Sequence, residues 1–144
     1  DVLEAAAELV WKGADFKTIA RAQFHTMNIP QLKLYGRILE RARLTPKKLT
    51  VSAITENDFV STGAAPEHTT GSIDYLNSAP EGEFSCLLYE DRKGALKGSF
   101  RSRADNIDLS ILAGLFGGGG HKKAAGISIP GSLRQTQNEV KIND

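Results

Sequence analysis

Apolar positions recur at helical spacing through the first third of the chain, and at every second position through its middle. Val2, Leu3, Ala6, Leu9 and Val10 form one stripe, which predicts a helix over 2–12 stopped by Gly13. Asp15 is placed to cap a second helix, with Phe16, Ile19, Ala20 and Phe24 facing inward. Asn28 and Pro30 restart the chain, and Leu32, Tyr35, Ile38, Leu39 and Ala42 predict a third helix ended by Thr45-Pro46. Arg41 and Arg43 fall near the C-terminus of that helix, where its dipole favours positive charge.

From Lys48 the period changes to two. Leu49, Val51 and Ala53 alternate with Thr50 and Ser52, which reads as a strand. Residues 56–61 read as a short helix, Thr62–Pro66 as a turn, and 67–78 as a helix carrying Ile73 and Leu76 that Pro80-Glu81-Gly82 breaks. Phe84 to Tyr89 is apolar on both faces, as a central strand should be. Asp91-Arg92-Lys93-Gly94 predicts a hairpin turn into a strand over 95–103. That strand puts Leu96, Gly98 and Phe100 on one face, and Lys97, Ser99, Arg101 and Arg103 on the other. Asp105 or Asn106 caps a helix holding Ile107, Leu109, Leu112, Ala113 and Phe116, and a last strand covers 125–129. Residues 132–142 read as a weak polar helix or a frayed tail. The expected fold class is α+β, a mixed β-sheet with helices packed on it, preceded by a helical connector. The expected boundaries are 1–46, 47–131 and 132–144.

Charge narrows the chemistry. A net charge of +1 over 144 residues gives no global basic field, so any anion must be held by a local cluster. The one cysteine, Cys86, excludes an intramolecular disulfide and points to a reduced, cytoplasmic setting. Its apolar surroundings favour a buried structural residue over a catalytic thiol. No apolar run approaches the ~18 residues of a membrane span, and no signal peptide is visible.

The local cluster is Gly117-Gly118-Gly119-Gly120-His121-Lys122-Lys123-Ala124-Ala125-Gly126. Each glycine costs roughly 0.5–1 kcal/mol relative to alanine in an ordered element. That cost is tolerated where positive φ or a close approach is needed. Exposed N–H groups beside a histidine and two lysines suit a phosphate; the alternative is a loose glycine loop. The guanidinium of Arg101 matches two phosphate oxygens at once. If strands 95–103 and 125–129 are neighbours, Arg101 and Gly118 to His121 line one pocket. The alternative leaves Arg101 and Arg103 as a solvated strand face. His121 either donates to a phosphate oxygen or is satisfied by a backbone carbonyl. Lys122 and Lys123 either help electrostatically or are simply solvated. His25 and His68 have no partner cluster and read as structural or surface residues. Ala124 and Ala125 are small enough for a base or sugar to pass. No His/Asp cluster has metal-ligand spacing, the glycine run lacks a P-loop ending, and there is no Gly-x-Ser-x-Gly elbow. The sequence holds a candidate anion-binding site without an evident catalytic engine.

Gly98-Ser99-Phe100-Arg101-Ser102, then Ile107-Asp108-Leu109 with Leu112 and Phe116, then GGGGHKKAAG and Gly126-Ile127-Ser128-Ile129 resemble the C-terminal associated domain of the DHH phosphoesterase superfamily. Thr70-Gly71-Ser72-Ile73-Asp74-Tyr75-Leu76 resembles that family's helix ahead of the central strand, and residues 1–45 resemble the segment joining its two domains. Within the superfamily the four-glycine form looks most like the nanoRNase/pAp phosphatase branch, with RecJ-type exonucleases and exopolyphosphatase-like members as neighbours. The resemblance implies a catalytic lobe, absent here, that holds manganese, and a present lobe that binds the substrate phosphate. It assigns that role to Arg101, Gly118, Gly119, Gly120 and His121, and less firmly to Ser102 and Ala125; Gly117, Lys122 and Arg103 are outer candidates. The expected function is substrate binding for a manganese-dependent phosphoesterase of short oligonucleotides or pAp. Its expected partners are a phosphorylated nucleotide and an N-terminal DHH domain, with no membrane contact. Beginning at Asp1 without a methionine, the chain reads as a fragment that binds without hydrolysing. Rival readings are a sequence-tolerant RNA-binding module, an exopolyphosphatase-like parent, and a homodimer built on helices 1–45.

Overall fold

The computed structural model describes residues 1–24, 26–91, 94–135 and 140–143. Three helices lead: α1 (Val2–Trp11), α2 (Phe16–Phe24) and α3 (Ile29–Glu40). β1 (Arg43–Leu44) and β2 (Leu49–Ile54) follow, then α4 (Glu56–Thr62), a 3-10 turn (Pro66–Thr69) and α5 (Ser72–Asn77). β3 (Phe84–Glu90), β4 (Ala95–Ser102), α6 (Leu109–Gly114), β5 (Gly119–His121) and β6 (Ala124–Pro130) complete the body, and β7 (Ser132–Gln135) pairs with β8 (Val140–Asn143). The six-stranded sheet runs in the order β1-β2-β3-β4-β6-β5. β2 and β3 are parallel and the other pairs antiparallel, so the sheet is mixed. A parallel pair needs a crossover, and α4 and α5 supply it. The chain is therefore α+β, as the alternation of periods predicts.

Helices cover both faces of the sheet. Leu34, Tyr35 and Ile38 of α3 meet Ile54, Phe59, Ile73, Leu76 and Leu87 on one side. Cys86, Phe100, Leu109, Ala113, Ala125 and Ile127 form the second cluster, under α6. Adjacent residues Cys86 and Leu87 serve opposite cores, which is why β3 is apolar on both faces.

Arg41 ties the helical segment to the sheet body. Its guanidinium donates to both oxygens of Asp58, at 2.5 and 2.8 Å, and to the Ala53 carbonyl at 3.2 Å. Asp58 also accepts from the Thr55 backbone N–H and hydroxyl, both at 2.9 Å. Burial alone pushes the Asp58 carboxyl up, but the bonds from Arg41 and Thr55 outweigh it and hold the pKa below the usual value.

Several expectations are corrected. The stripes of α1 and α2 do not face inward: Val2, Leu3, Leu9, Phe16 and Ile19 are exposed, and α1 has no buried residue. The side chain of Phe24, with His25, Arg92 and Lys93, lies outside the described residues. The helix expected over 67–78 is two pieces, broken at Thr70-Gly71, where Gly71 has φ +83°. The helix expected from Ile107 starts two residues later, because Asp108 is the residue whose side chain accepts from the Ser110 N–H, at 2.9 Å. Where a polar helix or frayed tail is expected over 132–142, the described parts are the paired strands β7 and β8, and 136–139 lie outside the described residues. Leu133 is buried there and donates its N–H to the Glu90 carboxylate at 2.6 Å.

Candidate phosphate-binding face

Strand register decides which of the predicted site residues meet. Arg101 pairs with Ser85 on one side and Ala124 on the other, and Ala124 pairs with His121. Paired residues of antiparallel strands share a face, so Ser85, Arg101, Ala124 and His121 form one row across β3, β4, β6 and β5. β4 and β5 are two strand spacings apart, about 9–10 Å, and the methyl of Ala124 is all that rises between them. The next row on the same face is Leu87, Ser99, Gly126 and Gly119. The row beyond holds Tyr89, Lys97 and Ser128. Arg101 and Gly119–His121 thus share one face, and Gly119, His121 and Ser128 are exposed on it.

α5 borders this face. Asp74 places a carboxylate oxygen 3.6 Å from Nε of Arg101, while Nη1 of Arg101 donates to the Phe100 carbonyl at 3.0 Å. Both partners of that ion pair are substantially exposed, so water screens it.

The glycines divide by role. Gly117 has φ +70°, a left-handed residue that turns the chain out of α6. Gly118 lies so close to β6 that a Cβ would meet the Gly126 carbonyl oxygen at 2.2 Å. At Gly120, φ is +145° and a Cβ would meet the Ala124 oxygen and the Ala125 Cα at 2.5 Å. Gly119 has neither positive φ nor a neighbour within 4 Å. The fold needs the other three to be glycine and leaves Gly119 open to the exposed face.

Alternation separates other candidates from this face. Ser102 follows Arg101 and points the opposite way; it is buried, and its hydroxyl donates to the carbonyls of Glu83 and Ala104. Ala125 belongs to the core under α6, so Ala124 is the alanine beside Arg101. Arg103 donates to the carbonyls of Ala79 and Gly82, latching the loop before β3. Lys123 is engaged by the Ala104 carbonyl at 2.6 Å and Asp105 at 2.7 Å, and the Lys123 ammonium holds the Asp105 pKa below its ordinary value. Lys122 is exposed, and its backbone carbonyl accepts from Leu109 N–H at 3.0 Å. His68 accepts from the Ala65 N–H at 2.9 Å, a structural role. Cys86 is buried, and desolvation pushes its thiol up to about 12, which leaves no useful thiolate at neutral pH. Among the described residues no group of three or more His, Cys, Asp or Glu could hold a metal ion, and no helix is long and apolar enough to cross a membrane.

The mixed α+β sheet thus brings a strand arginine and a Gly-Gly-His edge onto one face. Residues 47–142 match the DHHA1 domain model, and the chain belongs to that family, the domain associated with DHH phosphoesterases. Among solved structures, an exopolyphosphatase-related protein from Bacteroides fragilis is 26% identical with a TM-score of 0.80. The match covers 88% of this chain and 37% of that one, so the chain spans well under half of its relative's length. A pGpG-specific phosphodiesterase from Vibrio cholerae aligns at 15% identity and a TM-score of 0.47, over 70% of this chain and 33% of that one. An uncharacterised protein of Acanthamoeba polyphaga mimivirus is 43% identical over 56 residues, 36% of this chain and 13% of its own length.

Proposed function

We propose that this domain is the substrate-holding lobe of a phosphoesterase acting on short phosphorylated oligonucleotides or pAp. The observation that carries the reading is the row Arg101–Ala124–His121, flanked by Gly119, on one exposed face. Arg101 offers a planar pair of donors to a terminal phosphate, and the exposed His121 ring offers another from two strands away. Gly119 lets the phosphate reach the backbone of β5. The described residues do not fit a manganese site. In this reading manganese and the hydrolytic step belong to a separate DHH domain, and the present residues bind and orient. The parent enzyme works in the cytoplasm.

Each charge-assisted hydrogen bond lost should cost about 1.5–3 kcal/mol of binding. Titration of the chain with pAp should therefore show at least a tenfold loss of affinity in Arg101→Ala. A change below twofold would overturn the assignment of Arg101. Polyphosphate as the ligand is the second reading, favoured by the likeness to the exopolyphosphatase-related Bacteroides protein.

A further inference from the structure

We infer that the same face carries a second anion subsite at Lys97 and Ser128, and that it registers the next backbone phosphates of an oligonucleotide whose end Arg101 holds. The inference rests on the reading that Arg101 and His121 bind a phosphate. Lys97 lies four residues before Arg101 on the less buried face of β4, which places the two about 13 Å apart along the strand. Register sets Lys97 beside Ser128 of β6, and its ammonium donates to the Ser128 hydroxyl at 2.8 Å. Between the two cations the floor is Ser99, Gly126 and Gly119, all small and uncharged. Ser99 and Gly126 are half-buried and Gly119 is exposed, while Leu87, which continues the row on β3, is buried in the core.

That pattern discriminates between ligands. Polyphosphate carries contiguous charge and would leave its middle groups over a floor without a cation. An oligonucleotide carries separated charges with neutral, flat groups between them, which matches two cations divided by a bare floor. Each cation has one carboxylate at long range: the exposed Asp74 lies 3.6 Å from Arg101, and the half-buried Asp91, which also accepts from the Ala95 N–H at 2.9 Å, lies 3.7 Å from Lys97. Tyr89, paired with Lys97 across β3, closes the track on the side of α4, where its ring meets Phe59 edge-on.

The test is a titration of the chain with 5′-phosphorylated adenylates of one, two and three nucleotides and with inorganic tripolyphosphate, in the wild type and in Lys97→Gln. In the wild type the three-nucleotide ligand should bind at least threefold tighter than the mononucleotide. Lys97→Gln should abolish that gain, keep mononucleotide affinity within 1.5-fold, and lower the salt slope for the longest ligand by about 0.7. A length gain that survives Lys97→Gln, or no gain in the wild type, overturns the track and leaves the Arg101 site standing. Tripolyphosphate binding that is as sensitive to Lys97→Gln as the trinucleotide overturns the choice of oligonucleotide. No binding of any phosphorylated ligand, or binding indifferent to Arg101→Ala, overturns the phosphate site and the track with it.

Discussion

Substituting alanine at each of Gly118, Gly119 and Gly120 separates glycines that the fold requires from the one it leaves open. A Cβ at position 118 would sit 2.2 Å from the Gly126 oxygen and 2.9 Å from a methyl of Ile127, and both neighbours belong to the paired strand β6. At 120 it would sit 2.5 Å from the Ala124 oxygen and the Ala125 Cα, with φ at +145° besides. Backbone atoms cannot swing aside as a flexible side chain can, so β5 must move. Overpacking of this kind costs about 1–3 kcal/mol, and an unfavourable backbone conformation about 1–3 kcal/mol more at 120. At 119 a Cβ meets nothing within 4 Å and φ is not positive. Alanine there should be neutral, or stabilising by about 0.4–1 kcal/mol through the unfolded chain. With about 2–4 °C of melting temperature per kcal/mol near this size, the expected order is Gly119→Ala at or above wild type, Gly118→Ala several degrees below, and Gly120→Ala lowest. Thermal unfolding followed by circular dichroism measures it. Gly119→Ala should nevertheless weaken pAp binding, because the methyl points at the open face. Melting of Gly118→Ala and Gly120→Ala within about 2 °C of wild type would refute the packing argument, as would a large loss in Gly119→Ala.

Arg101→Ala should melt within about 2 °C of wild type, since its partner Asp74 is exposed, while losing at least tenfold in phosphate affinity; the contrast is the sign of a binding residue rather than a structural one. Asp58→Ala, which leaves Arg41 without its bidentate partner, should cost about 3 kcal/mol in urea unfolding. Asp58 has a lower pKa folded than unfolded, so its contribution is complete above the ordinary value of 3.8 and is lost as pH falls through the folded value. The stability gap between wild type and Asp58→Asn should therefore narrow from about pH 6 to about pH 2.5, and a gap that widens on acidification contradicts the sign. Cys86, with its thiol pushed up to about 12, should resist aromatic disulfide reagents at neutral pH until the chain unfolds; rapid native-state labelling would show that its burial is breached.

What the sequence made legible was period. The switch to alternation at Lys48 located the sheet, and the two-faced apolar run of β3 marked its centre. The face of β4 that carries Lys97, Ser99 and Arg101 followed from the same alternation. Parity was available too: Ser102 after Arg101, and Ala125 after Ala124, must point the other way from their neighbours on a strand. Ser102 and Ala125 accordingly lie on the opposite, buried face from Arg101 and Ala124. The stripes of α1 and α2 looked like core faces because periodicity reports amphipathicity and not what covers it. β5 could not be read from composition, since glycine has poor strand propensity and is held there by pairing with β6. The Ser132–Gln135 strand was hidden for a similar reason: its anchor is Glu90, more than forty residues earlier in the chain.

The central claim is that the face bearing Arg101, Gly119 and His121 reads a phosphate. The most direct measurement is an amide NMR titration with a 5′-phosphorylated dinucleotide and with the same dinucleotide lacking the phosphate. The account predicts shifts at Gly119, Gly120, His121 and Arg101 with the phosphorylated ligand alone. Equal shifts with both ligands, or none at millimolar concentration, would contradict it.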